Sequence, residues 1–321
     1  MKSKIVFSIV AAFLVLAMIA AGIFVFTRPR FLDVQEAQIS KDNAAIAKEK
    51  VSTPDLKTSE RYDYFQQPAS DKLYVTSNYG KTWKTVPVAL SDIRGGDYSA
   101  IPEYELMPGS YFLSKNLLAF IYSDRTEVLT DDGQDSVHSD KAHDSAMFVS
   151  SRDSGKSWQK SKISENMNGM RFRQIDLLAD GTLVVTLTGG RVVAQEGGSV
   201  YQSIDAGLSW TVTGHLPASN LLQSVSWIDK SQGFFGYKGA LYVTADAGAS
   251  SQECQINLPA EYHTEYGDIF TTPERVTKSG GNFILTMNQG DTGDYKGGKV
   301  LAELISTDGG LTFNFEKEVA P

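Results

Sequence analysis

Five copies of one eight-residue pattern run through the sequence: TSNYGKTW at 76–83, SRDSGKSW at 151–158, SIDAGLSW at 203–210, TADAGASS at 244–251 and STDGGLTF at 306–313. Their shared form is Ser/Thr-x-Asp-x-Gly-x-x-aromatic. Repeats at this spacing indicate an array of similar structural units, since each unit then buries its apolar face against the next one.

Each copy follows a short apolar run of strand type, such as LYVT at 73–76 and ALYVT at 240–244, and most copies precede another. The pattern therefore places each copy on the turn of a β-hairpin. Asp accepts backbone N–H bonds across a tight turn, and Gly permits a positive φ. The closing Trp or Phe packs the hairpin against its neighbours.

Two further strand-like segments precede each of the later copies, for example at 171–178 and 182–188. Two strands and a repeat-bearing hairpin make a four-stranded unit of about 40–50 residues, which is the size of a β-propeller blade. The prediction is an all-β protein with five blades, and six blades are the alternative. The first blade has little strand material ahead of it, so it is either incomplete or closed by residues 314–319.

The repeat resembles the Asp-box, or BNR repeat, of sialidase-like β-propellers. This superfamily includes non-enzymatic propellers similar to the photosystem II stability and assembly factor and to the sortilin receptor domain. The resemblance covers about residues 60–321 and specifies architecture rather than function. It implies structural roles for Asn78, Gly80, Trp83, Asp153, Gly155, Trp158, Asp205, Gly207, Trp210, Asp246, Gly248, Asp308, Gly310 and Phe313. Two copies depart from the pattern, because Asn78 replaces Asp and Ser251 replaces the aromatic residue.

The charge distribution excludes some classes of function. The formal charge is −8, and residues 1–30 hold Lys2, Lys4, Arg28 and Arg30 without any acid. The chain beyond residue 30 is therefore acidic. This argues against a nucleic-acid partner, because nucleic acids bind to basic protein surfaces. Cys254 is the single cysteine, so no intramolecular disulfide and no Cys-based zinc site is possible.

The N-terminal segment predicts a membrane anchor. Residues 5–26 read IVFSIVAAFLVLAMIAAGIFVF, which is 22 residues without a charge, and about 20 suffice to cross a bilayer as a helix. A cleaved signal peptide is the alternative, with AMIAA at 17–21 as its cleavage region. We expect an anchor with basic flanks at 1–30, a polar stalk at 31–60 and the propeller at 61–321. The protein is then a single-pass protein of the cell membrane with an extracytoplasmic domain.

The enzymatic alternative is a sialidase-type glycoside hydrolase. The resemblance implies three arginines around a substrate carboxylate, together with a Tyr nucleophile and a Glu. The family's Arg-Ile-Pro or Arg-Leu-Pro motif ahead of the first repeat is absent, since Arg61 has no Pro at that spacing. Candidate residues are Arg94, Arg171 or Arg173, and Arg275 for the arginines, and Tyr262, Glu265 and Tyr266 in EYHTEYGD at 261–268 for the nucleophile and its base.

Other chemistry has little support in the sequence. The acidic insert at 124–144 lacks the fixed Asp spacing of a Ca²⁺ loop, and the glycine-rich run at 290–299 lacks the strand-to-helix context of a phosphate loop. We expect no cofactor and no metal. The sequence favours a membrane-anchored, extracytoplasmic binding or assembly module whose partner is a protein or a glycan.

Overall fold

The computed structural model describes residues 62–95, 105–124, 144–167, 170–189, 197–217, 220–290 and 293–321. The predicted anchor, the stalk and residues 125–143 of the acidic insert lie outside these ranges. Among the described residues, no helix has the length and hydropathy needed to span a membrane. Residues 62–63 and Thr76–Trp83 form one compact unit, and Tyr64–Val75 with Lys84–Pro321 form the other.

The described residues are nearly all β and form six sheets: five large ones that follow one another along the chain, and a two-stranded hairpin. The first sheet consists of β1 (Asp63–Gln67), β2 (Lys72–Thr76) and β3 (Lys84–Ala89), with a 3₁₀ helix at Pro68–Ser70 and a short helix α1 (Leu90–Ile93) after it. The second consists of β4 (Tyr111–Leu113), β5 (Leu118–Asp124), β6 (Asp144–Ser151) and β7 (Gln159–Met167). The third consists of β8 (Arg173–Leu177), β9 (Leu183–Thr188), β10 (Gly198–Ser203) and β11 (Thr211–His215).

The fourth sheet consists of β12 (Leu222–Trp227), β13 (Gly233–Tyr237), β14 (Ala240–Thr244) and the two-residue β15 (Gln252–Glu253). A crossing strand β16 (Gln255–Asn257), a 3₁₀ helix at Ala260–Tyr262 and a small hairpin of β17 (His263–Thr264) and β18 (Gly267–Asp268) follow it. The fifth sheet consists of five strands: β19 (Thr272–Ser279), β20 (Asn282–Asn288), β21 (Leu301–Ser306), β22 (Thr312–Val319) and, at the edge beyond β22, the crossing strand β16. A 3₁₀ turn at Tyr295–Gly298 lies between β20 and β21.

In the second to fifth sheets, neighbouring strands pair antiparallel, except that β16 pairs parallel with β22; β2 and β3 of the first sheet also pair antiparallel. Three of the sheets therefore have four strands in simple sequential order, and each repeat lies on the turn between the last two strands of its sheet. Repeated four-stranded antiparallel sheets of this kind are consistent with a β-propeller.

The central strands show how the sheets stack. Every residue of β9 is buried. Leu183, Val185 and Leu187 pack toward the second sheet, whereas Val184 packs toward the fourth sheet with Phe235. Since successive side chains of a strand point to opposite faces, the third sheet is covered on both faces by its neighbours.

The C-terminal strand does not close the first sheet, which has three strands among the described residues. Of the two alternatives for the first blade, closure by residues 314–319 is therefore wrong, and an incomplete blade agrees with the three described strands. Strand β22 pairs with β21 on one side and with β16 on the other. Because β16 already occupies its outer edge, β22 has no edge left for the first sheet.

Candidate functional site

The repeat turns share one set of hydrogen bonds. In the second turn the Ser151 hydroxyl donates to Asp153 Oδ1 (2.8 Å), the Gly155 N–H donates to Ser151 Oγ (2.8 Å) and the Ser157 N–H donates to Asp153 Oδ1 (2.9 Å). The same three bonds recur in the third, fourth and fifth turns around Asp205, Asp246 and Asp308. These bonds satisfy backbone groups within the turn, which is a structural role.

Asn78 takes over the carboxylate's role in the first turn. Its Oδ1 accepts from the Thr76 hydroxyl (3.0 Å) and from the Thr82 N–H (2.9 Å), while its Nδ2 donates to Thr82 Oγ1 (3.0 Å). The turn therefore requires a side-chain carbonyl oxygen at this position and not a negative charge.

The donors around the Asp side chains keep them ionised. Hydrogen bonds from the Ser209 hydroxyl and N–H lower the pKa of Asp205 to about 2. The Thr312 N–H and the Ser306 hydroxyl lower the pKa of Asp308 to about 2. A carboxylate that accepts several hydrogen bonds has a low pKa because those bonds stabilise its charged form. At neutral pH these groups cannot act as general acids.

The closing aromatic residues pack between sheets. Trp210 lies edge-on to Phe148 of the second sheet, 5.0 Å between ring centres, and its Nε1 donates to Ser161 Oγ (3.0 Å). Phe313 is fully buried and lies 6.0 Å from Phe234 of the fourth sheet. Both residues therefore join their own sheet to the preceding one.

Two of the candidate arginines, Arg171 and Arg173, donate hydrogen bonds to backbone carbonyl oxygens. Arg173 is fully buried and donates to the carbonyl oxygens of Met170, Ile93 (both 3.3 Å) and Gly95. Arg171 donates to the carbonyl oxygen of Leu222 (2.6 Å). These guanidinium groups hold separate chain segments together.

The remaining candidate arginines lie in different elements. Arg94 directly follows α1, and its N–H closes that helix on the Leu90 carbonyl (2.9 Å). Arg275 lies on β19 and is exposed. The hydrogen bonds described by the structure do not bring Arg94, Arg171, Arg173 and Arg275 together around one point.

Tyr262 lies inside the apolar core of the fifth sheet. Its ring packs against Phe315 and Phe270, with centres 4.9 and 5.2 Å away, and its hydroxyl donates to Glu318 Oε1 (3.0 Å). Burial, followed by the bond to Glu318, raises the pKa of Tyr262 to about 12. The phenol is therefore protonated at neutral pH and donates to Glu318.

Glu318 is the centre of a cluster that the sequence did not suggest. The hydroxyl of Tyr295 also donates to Glu318 Oε1 (2.9 Å), and the Lys296 ammonium pairs with Oε2. These donors, led by Lys296, lower the pKa of Glu318. Since Tyr262 and Glu318 stand 56 residues apart, no local pattern could have joined them.

Glu265 and Tyr266 lie apart from this cluster. They form the turn between β17 and β18, and the Tyr266 side chain is 91% exposed. A hydrogen bond to Glu265 raises the pKa of Tyr266. The three candidates Tyr262, Glu265 and Tyr266 therefore do not converge, because Tyr262 points into the core and Tyr266 points to solvent.

Asp176 on β8 is a second group that the sequence did not suggest. Burial raises its pKa to about 6, although a hydrogen bond from Gln174 opposes the rise. Gln174 Nε2 donates to Asp176 Oδ2 (2.9 Å) and to the carbonyl oxygen of Val225 (3.0 Å). This pair of bonds links the third sheet to the fourth.

Metal ligands are not grouped in the part of the chain that the structure describes: no three His, Cys, Asp or Glu side chains lie close enough to share an ion. Cys254 is buried, and burial raises the pKa of its thiol to about 12. His138 and His143 of the acidic insert lie outside the described residues.

Comparisons with known proteins give distant structural likenesses. No protein-family model and no curated protein matches the sequence. The chain is similar to the GH43_1 enzyme from Xanthomonas citri, with 11% identity and a TM-score of 0.36 over 65% of this chain and 72% of the other. It is similar to a protein of unknown function from Dyadobacter fermentans, with 15% identity and a TM-score of 0.38 over 65% and 70%.

A further likeness is to a Hadza microbial sialidase, with 15% identity and a TM-score of 0.42 over 78% of this chain and 52% of the other. What the chain does therefore has to be inferred from its own residues.

Proposed function

We propose that this chain is a five-bladed Asp-box β-propeller that acts as a binding or assembly module, held at the cell membrane by its N-terminal segment with the propeller outside the cytoplasm. Its partner is an extracytoplasmic protein or a glycan. The five sheets, each with one repeat on its last hairpin, support the blade count.

The hydrogen bonds of Arg171 and Arg173 are the main support for a binding module rather than an enzyme. Sialidase chemistry requires guanidinium groups directed at a substrate carboxylate. Arg171 and Arg173 instead direct donors at the backbone carbonyls of Leu222, Met170 and Ile93. Moving either group onto a substrate would leave buried carbonyl oxygens without these donors, which is costly.

The tyrosine–glutamate cluster supports the same proposal. Glu318 accepts from two tyrosines and a lysine, so its charge is already balanced. A general base that activates a tyrosine needs an accessible carboxylate and a reachable substrate. The cluster fits a clamp that fixes the Tyr295–Gly298 turn and the Ala260–Tyr262 helix to the end of β22.

The deciding experiment is a hydrolysis assay on the purified full-length protein with an aryl sialoside. We expect no release of sialic acid. The comparison variants are Tyr262→Phe, Tyr266→Phe and Arg94→Ala, because these carry the hydrolase alternative. Turnover by the wild type that is abolished by one of these substitutions would replace the binding module with a hydrolase.

A further inference from the structure

The hairpin of the third sheet exposes apolar side chains. Ile204 is 89% exposed, Leu208 55% and Val212 50%. Three of the six large hydrophobic side chains that are exposed in the described ranges lie on this one hairpin. Clustered exposed apolar side chains mark surfaces that meet a partner or a membrane.

The second hairpin is an internal comparison. At the three matching pattern positions it carries Arg152, Lys156 and Lys160, all of them exposed. Both turns form the same internal hydrogen bonds, so the turn demands neither apolar nor basic residues at these positions. Their chemistry is therefore free to serve another purpose.

The two hairpins lie side by side. The Ser161 hydroxyl, just beyond the second turn, donates to the Gly207 carbonyl of the third turn (2.6 Å) and accepts from Trp210 Nε1 (3.0 Å). On the other flank of the second turn, the exposed Lys84 comes within 3.0 Å of where a Cβ on Gly155 would lie. The third turn thus adjoins strand β7 of the second hairpin, next to the exposed Lys160.

We propose that this hairpin surface, defined as Arg152, Lys156, Ile204, Leu208 and Val212, docks onto the interface of an anionic lipid bilayer. The apolar side chains insert at the boundary between headgroups and acyl chains, and the two cations meet the headgroups. The inference rests on the proposed membrane anchoring, which keeps a bilayer within reach of the domain.

A lipid interface fits this surface better than a protein does. The apolar side chains stand on an exposed turn, and a soft interface takes up such side chains without a complementary pocket. A stable protein interface uses about 20–30 residues on each partner, which is more than the hairpin at 203–212 contains. Anionic headgroups also attract nearby Lys and Arg.

The acidic character of the whole chain does not oppose this docking. Residues 31–321 carry 26 basic and 38 acidic side chains, a net charge of −12, but charges more than about 8 Å from the bilayer are largely screened at physiological ionic strength. Across the two hairpins, residues 151–160 and 203–212, three cations stand against the two carboxylates of Asp153 and Asp205. The local cations therefore decide the sign of the field at the headgroups.

The test uses the full-length protein in vesicles of phosphatidylcholine and phosphatidylglycerol. Leu208→Cys receives an environment-sensitive fluorophore, and Ala249→Cys, at the same pattern position of the fourth hairpin, is the matched control. Cys254 is buried and stays unlabelled in the folded protein. We expect nitroxide lipids to quench the label at 208 and to leave the label at 249 unquenched.

A second variant tests the role of the two cations: it combines Arg152→Glu with Lys156→Glu in the labelled Leu208→Cys protein. We expect the quenching to be lost, as it is in vesicles of phosphatidylcholine alone. Equal quenching at 208 and 249, or none at either, would overturn the proposal. A spectral shift at 208 that grows with protein concentration without lipid would also overturn it and assign the surface to a second copy. Hydrolysis of a sialoside by the protein would contradict the proposed function but would leave the quenching at position 208 unchanged, so the two failures can be told apart.

Discussion

At the scale of single residues, Asp176 predicts an unusual pH dependence. Its pKa in the folded protein is about 6 against an ordinary 3.8, so the folded state holds a proton that the unfolded state has released. The stability from this group is full below about pH 4 and is lost as pH rises through about 6. Asp176→Asn, which cannot ionise, should raise the free energy of unfolding at pH 7 by up to about 3 kcal/mol and change it little at pH 4.

Denaturant unfolding at the two pH values measures this difference. The matched control is Asp180→Asn, because hydrogen bonds from Thr182 lower the pKa of that exposed carboxylate. The control should not gain stability at pH 7. Equal destabilisation of Asp176→Asn at both pH values would show that the buried charge does not determine its stability.

The hydroxyl of Tyr262 gives a second prediction at this scale. Tyr262→Phe keeps the ring among Phe270 and Phe315 and removes only the bond to Glu318. A hydrogen bond to a charged group contributes about 1.5–3 kcal/mol, so the unfolding free energy should fall by about that amount. Tyr266→Phe is the exposed control and should leave it unchanged. An unchanged Tyr262→Phe would remove the clamp as a stabilising element.

How far the sequence could predict individual residues depends on how local their partners are. The Ser, Asp and Gly of each turn interact within four positions, so their spacing alone indicates their hydrogen bonds. Glu265 stands near Tyr262 in sequence and makes it a candidate, whereas its actual partner Glu318 comes from a distant strand. Asp176 could not be recognised either, because its pKa depends on burial between two sheets.

At the scale of elements, the burial of each hairpin's closing aromatic ring predicts how much unfolding free energy is lost when that ring is removed. Phe313 is fully buried against the preceding sheet, so Phe313→Ala should cost about 3–5 kcal/mol. Trp158 is only partly buried, so Trp158→Ala should lower the free energy of unfolding by less. Ser251→Ala, in the hairpin without a ring, should change the unfolding free energy by no more than about 0.5 kcal/mol. Equal costs for all three would refute packing of the ring as the basis of hairpin stability.

The region of the fourth hairpin shows which features of the strands could be predicted from the sequence and which could not. Its departure at Ser251 is visible in the pattern, and β15 has only two residues. The chain then passes to the fifth sheet, where β16 pairs in parallel with β22. Hydrophobic alternation predicts that a segment is a strand but does not identify its neighbour. The sequence therefore leaves both an incomplete first blade and its closure by residues 314–319 open.

At the scale of the whole molecule, the N-terminal segment predicts membrane attachment. An uncharged run at residues 5–26 favours the bilayer core over water. Lys2, Lys4 and the amino group before it slightly outweigh Arg28 and Arg30 behind it, which favours a cytoplasmic N-terminus. Full-length protein should therefore fractionate with membranes, and protease added from outside should remove the chain beyond about residue 31. Leu14→Arg with Leu16→Arg should release it, since each central arginine costs about 2.5–3.5 kcal/mol. Soluble protein that retains residues 1–26 would defeat the anchor, and soluble protein that lacks them by mass would show a cleaved signal peptide.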